Sequence, residues 1–445
     1  MKTNSLLSPP GLDFGLNGVS CQQPLFPIAV FTNFHGTLIS VPMLWSGSGT
    51  MTKYFLIGSS ATNALFTIGV QVIALVSMAP SEYGVFSLLF LFYGLGLSIS
   101  HSFVIDVWVR NNAESTSWRT YASALFWFAM LVSLLALGLA IGVTQSINVA
   151  SAVAVGVGAG IYRNGARFYA ARLLSWRHVI LPDVLGCTAL AIMFFALAPT
   201  VGAFSATMAA WATSQFVAAL SSKLTRVRPP RILSSWISDH WVQIRNLWFD
   251  STLLDVSVIA TPVLMSGFMN HSSFGVYRAI SSAALPVRLL LTPLRPNISN
   301  LPLGDFLKRR TMLIVLGTGA AMGVLVLLGL TCVRVLNILP DSVLPHVADF
   351  AVPAGIFTFG TLVSNVYYVA ARSNLDLSRV KVGRLFETVV MIVGPISGLF
   401  FGATAGAVWL FALSATLAGF AWLLIVRRSV LPVPRAKVDL PIGSP

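Results

Sequence analysis

Ser221–Trp248 reads SSKLTRVRPPRILSSWISDHWVQIRNLW, a basic, proline-broken stretch in a chain that is otherwise almost continuously apolar. Lys223, Arg226, Arg228, Arg231 and Arg245 face the single acid Asp239. Neither Pro229 nor Pro230 offers a backbone N–H to a helix interior. The stretch is therefore predicted to be a loop outside the membrane. On each side lies a similar amount of hydrophobic sequence, in roughly six apolar runs of membrane-crossing length per side. The linker joins two halves of like size.

The composition sets the class. Of 445 residues, 56% are hydrophobic and only 9% charged, and the mean hydropathy is +0.81, far from a soluble domain. Runs of about 20 apolar residues cross a ~30 Å hydrocarbon core as helices, and their continuous rather than alternating pattern excludes an outer-membrane barrel. The expected fold is all-α, a polytopic membrane protein. A net charge of +14 would point a soluble protein towards nucleic acid. Here the basic residues lie between spans, where they set orientation and meet anionic membrane lipids, and no nucleic-acid partner is expected. Cys21, Cys187 and Cys332 are scattered without metal-ligand spacing and read as packed thiols, so neither metal nor cofactor is expected.

In chain order, residues 1–50 form a mixed N-terminal extension with no ordered signal-peptide pattern, and Met51 is a candidate start. About twelve spans follow, near 54–76, 83–105, 119–143, 148–168, 178–198, 200–220, 249–268, 273–294, 311–333, 347–370, 383–402 and 404–426. Three regions and a tail result: a first six-helix bundle over 51–220, the basic linker over 221–248, a second six-helix bundle over 249–428, and the tail 429–445. Every second connection carries Lys or Arg, as with Arg110, Arg172 and Arg177, the linker, Arg295 with Lys308 to Arg310, and Arg372, Arg379 and Lys381. The alternate connections are short and carry almost none, Arg334 being the exception. The positive-inside rule then predicts a cytoplasmic (inner) membrane protein with the linker and both termini in the cytoplasm.

The halves also echo each other. SEYGVF at 81–86 matches SSFGVY at 272–277, Arg119-Thr120 matches Arg310-Thr311, and Ala170-Ala171-Arg172 matches Ala370-Ala371-Arg372. An even number of spans per repeat gives both repeats the same orientation, related by an axis along the membrane normal, with a site expected at their interface.

The polar-flecked first span (Ser59, Ser60, Asn63, Gln71), APSEYGVFSLLFLFYGLG at 79–96, ARFYAARLLSWRHVILPDV at 166–184 and FGVYRAISSAALPVRLLLTPLRP at 274–296 resemble the multidrug/oligosaccharidyl-lipid/polysaccharide exporter superfamily, and most its bacterial polysaccharide flippases. The resemblance covers Tyr54 to about Arg428 and leaves the first 50 residues without a counterpart. It implies two six-helix bundles around a central cavity that rock to expose it to each side in turn. The cargo it implies is an undecaprenyl-diphosphate-linked glycan, with polysaccharide polymerase and chain-length machinery as further partners. A diphosphate and a polar glycan need polar, cationic walls to pass hydrocarbon.

For such walls the sequence offers Arg163 and Arg167 at i, i+4 on the fourth span, Arg278 on the eighth, and Asn63 on the first. The bland alternative is that the arginines snorkel to the headgroups. Coupling candidates are Asp255, the deepest acid without an obvious local partner, and Glu387, for which an ion pair with Arg384 is the plain alternative. Asp183 is a further interior acid, and Asp106 and Asp250 lie near span ends, where water is expected to reach them. His101, Gln71, Gln215 and Asn365 are polar groups that a neighbouring helix would satisfy.

Three rival functions compete with this reading. A drug/cation antiporter of the same superfamily would be expected to carry a carboxylate in its first span, and none lies between Tyr54 and Val76. A membrane enzyme of polysaccharide synthesis needs an extracytoplasmic catalytic loop, whereas the first outer turn is only Ser77 to Glu82. No catalytic residues are therefore assigned. A scaffold would have little use for ionisable groups inside its spans.

Overall fold

The computed structural model describes residues 50–110, 118–172, 176–222, 226–255, 259, 261–287, 291, 298 and 301–430. The N-terminal extension and the tail expected from the sequence lie outside them almost entirely. The chain is an all-helical polytopic membrane protein of two lobes, with no strand among the described residues. The first lobe contains α1 (Thr50–Ser77), α2 (Pro80–Ser100), which passes through a π-helical turn at His101–Ile105 into α3 (Asp106–Arg110), then α4 (Trp118–Thr144), α5 (Ile147–Arg172), α6 (Ile180–Val201) and α7 (Ala203–Ser221). The second contains α8 (Arg231–Asp255), α9 (Thr261–Phe268), α10 (His271–Ser282), α11 (Arg309–Val335), the short α12 (Leu344–Ala348), α13 (Ala351–Asn374) and α14 (Leu377–Val430).

These helices follow from the expected spans. Six of them are long and apolar enough to cross a membrane, and α1 contributes the shorter apolar run Ala61–Ser77. α14 holds the last two spans, divided by non-helical backbone at Gly402 and Ala403, where the apolar pattern already separated them. Within each lobe the helices pack as neighbouring pairs: α4 on α5 and α6 on α7 in the first, α11 on α13 and α13 on α14 in the second. α2 and α13 are mostly enclosed, while α6 and α11 turn Phe195, Ile192, Leu325 and Leu328 outward, as helices facing lipid do. Cys332 is likewise exposed on α11, so it is not the packed thiol that the sequence implied.

The linker departs from expectation. Among the described residues of the linker, only Ser222 and 226–230 are non-helical; from Arg231 onward the chain is helix, kinked at His240. Pro229 and Pro230 stand ahead of the helix, where a missing N–H costs nothing. Their carbonyls accept from Ile232 N and Leu233 N at 3.0 Å each, which starts the first turn. The prolines mark a helix start rather than a loop.

Basic connections lie at one end of the bundle and short turns at the other, and these are called the basic end and the turn end below. At the turn end α2 and α10 cross. α2 begins at Pro80 with Glu82 accepting from Ala79 N at 3.3 Å, and α10 begins with Asn270 accepting from Ser273 N at 2.8 Å. A helix that starts with its orphan N–H groups satisfied ends its turn sharply, and both turns deliver the matched hexapeptides to the same crossing.

Candidate functional site

In the first lobe, α1, α5 and α6 converge on a buried ionic cluster. Asp183 is fully buried, and its two carboxylate oxygens accept from Arg163 Nη1 at 2.7 Å and Arg167 Nε at 3.2 Å. Arg167 Nη2 also donates to the Ser59 carbonyl of α1 at 2.5 Å. The Arg163 guanidinium lies 4.4 Å from the centre of the Phe66 ring, and the Tyr93 hydroxyl of α2 faces it. The Phe66 ring fits because residue 186 on α6 is glycine: a Cβ there would stand 2.6 Å from the ring. Asn63, one turn from Ser59 on the same face of α1, is buried, and its Oδ1 has no hydrogen-bond partner among the described residues.

Two guanidinium groups against one carboxylate leave the cluster with one excess positive charge. Arg163 and Arg167 are 3% and 7% exposed, so neither snorkels to the headgroups. The sequence placed the two arginines together but did not bring Asp183 to them. The signal was present in the hairpin: Arg167 and Asp183 lie equally far from Ser175 in the connection, so antiparallel neighbours bring them to the same depth.

Arg278 stands apart from this cluster, on α10 at the crossing of the lobes. Gly84 of α2 and Gly275 of α10 meet there backbone to backbone. A Cβ on Gly84 would overlap the His271 carbonyl, and one on Gly275 would overlap the Pro80 carbonyl. Around this contact the Tyr83 and Ser282 hydroxyls share a 3.0 Å hydrogen bond, and Val343 N donates to the Met78 carbonyl at 2.8 Å. The Arg278 guanidinium lies beside the Tyr83 and Tyr277 phenols. Among the described residues, Arg278 Nε and the Tyr277 hydroxyl are enclosed without a hydrogen-bond partner. No carboxylate pairs with Arg278 in the described set, so this site too is positive.

In the second lobe Glu387 sits in a network on α13 and α14. It accepts from Arg384 Nη1 at 2.8 Å, Trp422 Nε1 at 3.1 Å and the Ser364 hydroxyl at 3.2 Å. Arg384 in turn lies 4.4 Å over the Tyr368 ring. The intrahelical pair anticipated for Arg384 and Glu387 is present, with two further donors that spacing alone did not reveal. Asp255 closes α8, and its side chain lies outside the described set.

A further polar group occupies the π turn of α2. His101 Nε2 and Asn164 Nδ2 are 3.1 Å apart, and His101 Nδ1 lies 3.4 Å from Asp106 Oδ1, with the Phe168 ring edge-on to the imidazole. Asp106 is 8% exposed, not wet as its place near a span end implied. The helix carries on past the expected boundary, and the His101 imidazole, itself held by Asn164 and Phe168 of α5, lies beside the carboxylate.

No protein-family model matches the chain, and no curated protein matches it. Among solved structures, the fold is similar to an inward-facing multidrug resistance MATE family transporter of the MOP superfamily, with TM-score 0.54 at 13% identity, covering 88% of this chain and 96% of that one. A MATE transporter from Vibrio cholerae matches with TM-score 0.49 at 13% identity over 85% of this chain and 95% of that one. A MOP superfamily transporter from Pyrococcus furiosus matches with TM-score 0.47 at 12% identity over 85% and 94%. The first of these likenesses shows the two-lobed fold.

Proposed function

We propose that the protein is a transporter that moves an anionic, lipid-diphosphate-linked sugar or oligosaccharide across the cytoplasmic membrane by alternating access, for surface polysaccharide biosynthesis. The observation that carries this reading is the positive balance inside both lobes: Arg163 and Arg167 outnumber Asp183 in the first, and Arg278 has no carboxylate among the described residues of the second. Uncompensated cations in a membrane interior are costly unless they face water or an anion. Guanidinium suits phosphate oxygens because its planar fork donates bidentately and keeps its proton when desolvated.

The basic end is read as cytoplasmic, with both termini on that side. The Gly84–Gly275 crossing then closes the outer side. Arg163 and Arg167 lie near the basic end of α5 and Arg278 near the turn end of α10. A diphosphate taken up near the first pair would meet Arg278 as the lobes rock, with Asn63 contributing an amide to the polar wall. Asp255 and Glu387 are the proposed coupling acids. The turns described at the turn end are short, which favours transport over enzyme action, and polymerase and chain-length machinery would take the exported glycan.

The test is complementation of a strain lacking the gene. Arg163→Gln and Arg278→Gln are each expected to abolish surface polysaccharide even when export is normalised to the folded protein recovered from the membrane, with Lys rescuing only partly. If both variants export normally while the wild-type protein confers resistance to cationic drugs, the cargo is a cation and the reading fails.

A further inference from the structure

The linker helix α8 presents two different faces. Inward, Trp236, Ile244 and Leu247 are buried, and Trp236 Nε1 donates to the Phe103 carbonyl inside the π turn at 2.9 Å. The segment ahead of it is tied to α4: Trp127 Nε1 donates to the Arg228 carbonyl at 2.8 Å, and Arg228 N donates to the Ser123 hydroxyl at 3.0 Å. Outward, after the kink at His240, Trp241, Val242 and Trp248 are 48%, 65% and 46% exposed, the Trp248 ring also standing edge-on to Phe103, and Arg245 is exposed among them, while Arg231 is exposed at the helix start before the kink. Trp241, Arg245 and Trp248 follow at i, i+4 and i+7 and so form one stripe. Asp239 is the one acid on this part of the helix.

The depth of this face is fixed by its anchors. The 30-residue run Pro80–Val109 is ~45 Å long at ~1.5 Å per residue, against a hydrocarbon core of ~30 Å. Phe103 lies seven residues before Arg110, the end of α3, or ~10 Å inside the basic tip of the helix. Trp127 lies nine residues past Trp118, the start of α4, or ~13 Å inside its tip. Both anchors hold α8 below the helix tips, at the boundary between headgroups and acyl chains. There an aromatic-aliphatic stripe flanked by arginines matches the layering of an anionic leaflet: rings at the glycerol level, guanidinium groups on the phosphates.

We propose that the outer face of α8, with Arg231 and Arg245 as its cationic contacts and Trp241, Val242 and Trp248 as its apolar ones, is a docking surface for the headgroups of anionic phospholipids in the leaflet at the basic end. Because the inner face of the same helix holds the π turn through Trp236, a lipid bound outside bears on α2, the helix that crosses to the second lobe. This inference does not depend on the identity of the transported cargo.

The test places a fluorophore on Ser238→Cys, at an exposed position, in an otherwise cysteine-free protein in nanodiscs of mixed phosphatidylcholine and phosphatidylglycerol. One component or the other carries brominated chains at equal mole fraction. Each arginine near an anionic surface contributes ~1 kcal/mol. Brominated phosphatidylglycerol is therefore expected to quench at least about threefold more strongly than brominated phosphatidylcholine, a preference that shrinks as salt is raised. The double variant Arg231→Gln, Arg245→Gln brings the ratio towards one. Equal quenching by the two lipids in the unsubstituted helix, at low salt, overturns the proposal without reference to any variant. Absence of quenching by either also overturns it, because the face then meets water or another protein.

Discussion

Asp183 holds Arg163 at 2.7 Å while its second oxygen engages Arg167 at 3.2 Å, so one carboxylate serves two guanidinium groups in a site closed to water. The asymmetry fixes the order in which substitutions harm the lobe. Asp183→Asn leaves two like charges buried together, whereas Arg163→Gln leaves a neutral pair of Asp183 with Arg167. Removing one member of a buried ion pair costs about 3–5 kcal/mol, and Asp183→Asn is expected at the upper end of that range. Thermal unfolding of the detergent-purified variants, followed by size-exclusion fluorescence, checks the order. A midpoint for Asp183→Asn at or above that of Arg163→Gln contradicts the charge count.

The crossing of α2 and α10 makes a steric prediction. A methyl group at Gly84 or Gly275 meets the carbonyl of the opposite lobe, and backbone there cannot turn aside as a flexible side chain would. Gly84→Ala and Gly275→Ala are each expected to loosen the closure and to speed labelling of Ser282→Cys by an impermeant thiol reagent. Gly138→Ala is the control, since a Cβ at 138 has nothing within 4 Å, and it should leave the labelling rate unchanged. Identical rates for all three would show that the crossing does not gate access.

Topology gives a third expectation. Ser235 and Ser272 are both exposed, the first on α8 near the basic end and the second at the start of α10 at the turn end. As single cysteines in a cysteine-free background, only the one at 272 should react with an impermeant reagent added to intact cells. Reaction at 235 instead would invert the orientation proposed above.

Glu387 allows a separation of roles. Gln in its place keeps one oxygen for the Trp422 donor and turns its amide NH2 to the Ser364 hydroxyl, which can accept, but loses the charge opposite Arg384. The two side chains are 20% and 18% exposed, so the stability cost should fall between the ~1 kcal/mol of an exposed pair and the ~3 kcal/mol of a buried one. If Glu387 and Asp255 bind and release the coupling proton, Glu387→Gln and Asp255→Asn fold normally and transport with a flattened dependence on pH. Wild-type pH profiles in both variants would place coupling elsewhere.

Much of this architecture was legible because hydropathy is a local signal. The long apolar helices α2, α4, α6, α11 and α13 and the division of α14 near Gly402 lie nearly where the apolar runs placed them, and the matched SEYGVF and SSFGVY segments meet at one crossing; the spans expected near 249–268 and 273–294 fall partly outside the described residues. The failures came from contacts made at a distance. Pro229-Pro230 looked like a break, but the same missing N–H groups are harmless at a helix start, and only the surface offered by α2 and α4 shows that a helix belongs there. Asp106 looked wet because hydropathy along one helix does not reveal that its carboxylate is buried beside His101. Asp183 was one interior acid among several until the antiparallel approach of α5 and α6 set it against two arginines. Charge and spacing along one helix identify candidate groups; their partners arrive on other helices.

The Gly84–Gly275 contact is reciprocal: Pro80 stands to Gly275 as His271 stands to Gly84, and each pair occupies corresponding places in the two repeats. A half-length chain could make the same contact with its own copy, as the isologous patch of a two-fold homodimer. In such a dimer any substitution appears twice. Fusion of the copies into one polypeptide removes that restriction, and the residues three places beyond the two glycines have used the freedom differently: Ser87 on one side, Arg278 on the other. A homodimer would have had to bury two arginines across the axis from each other. The fused chain carries one, and thereby acquires an inside and an outside that symmetry had denied it.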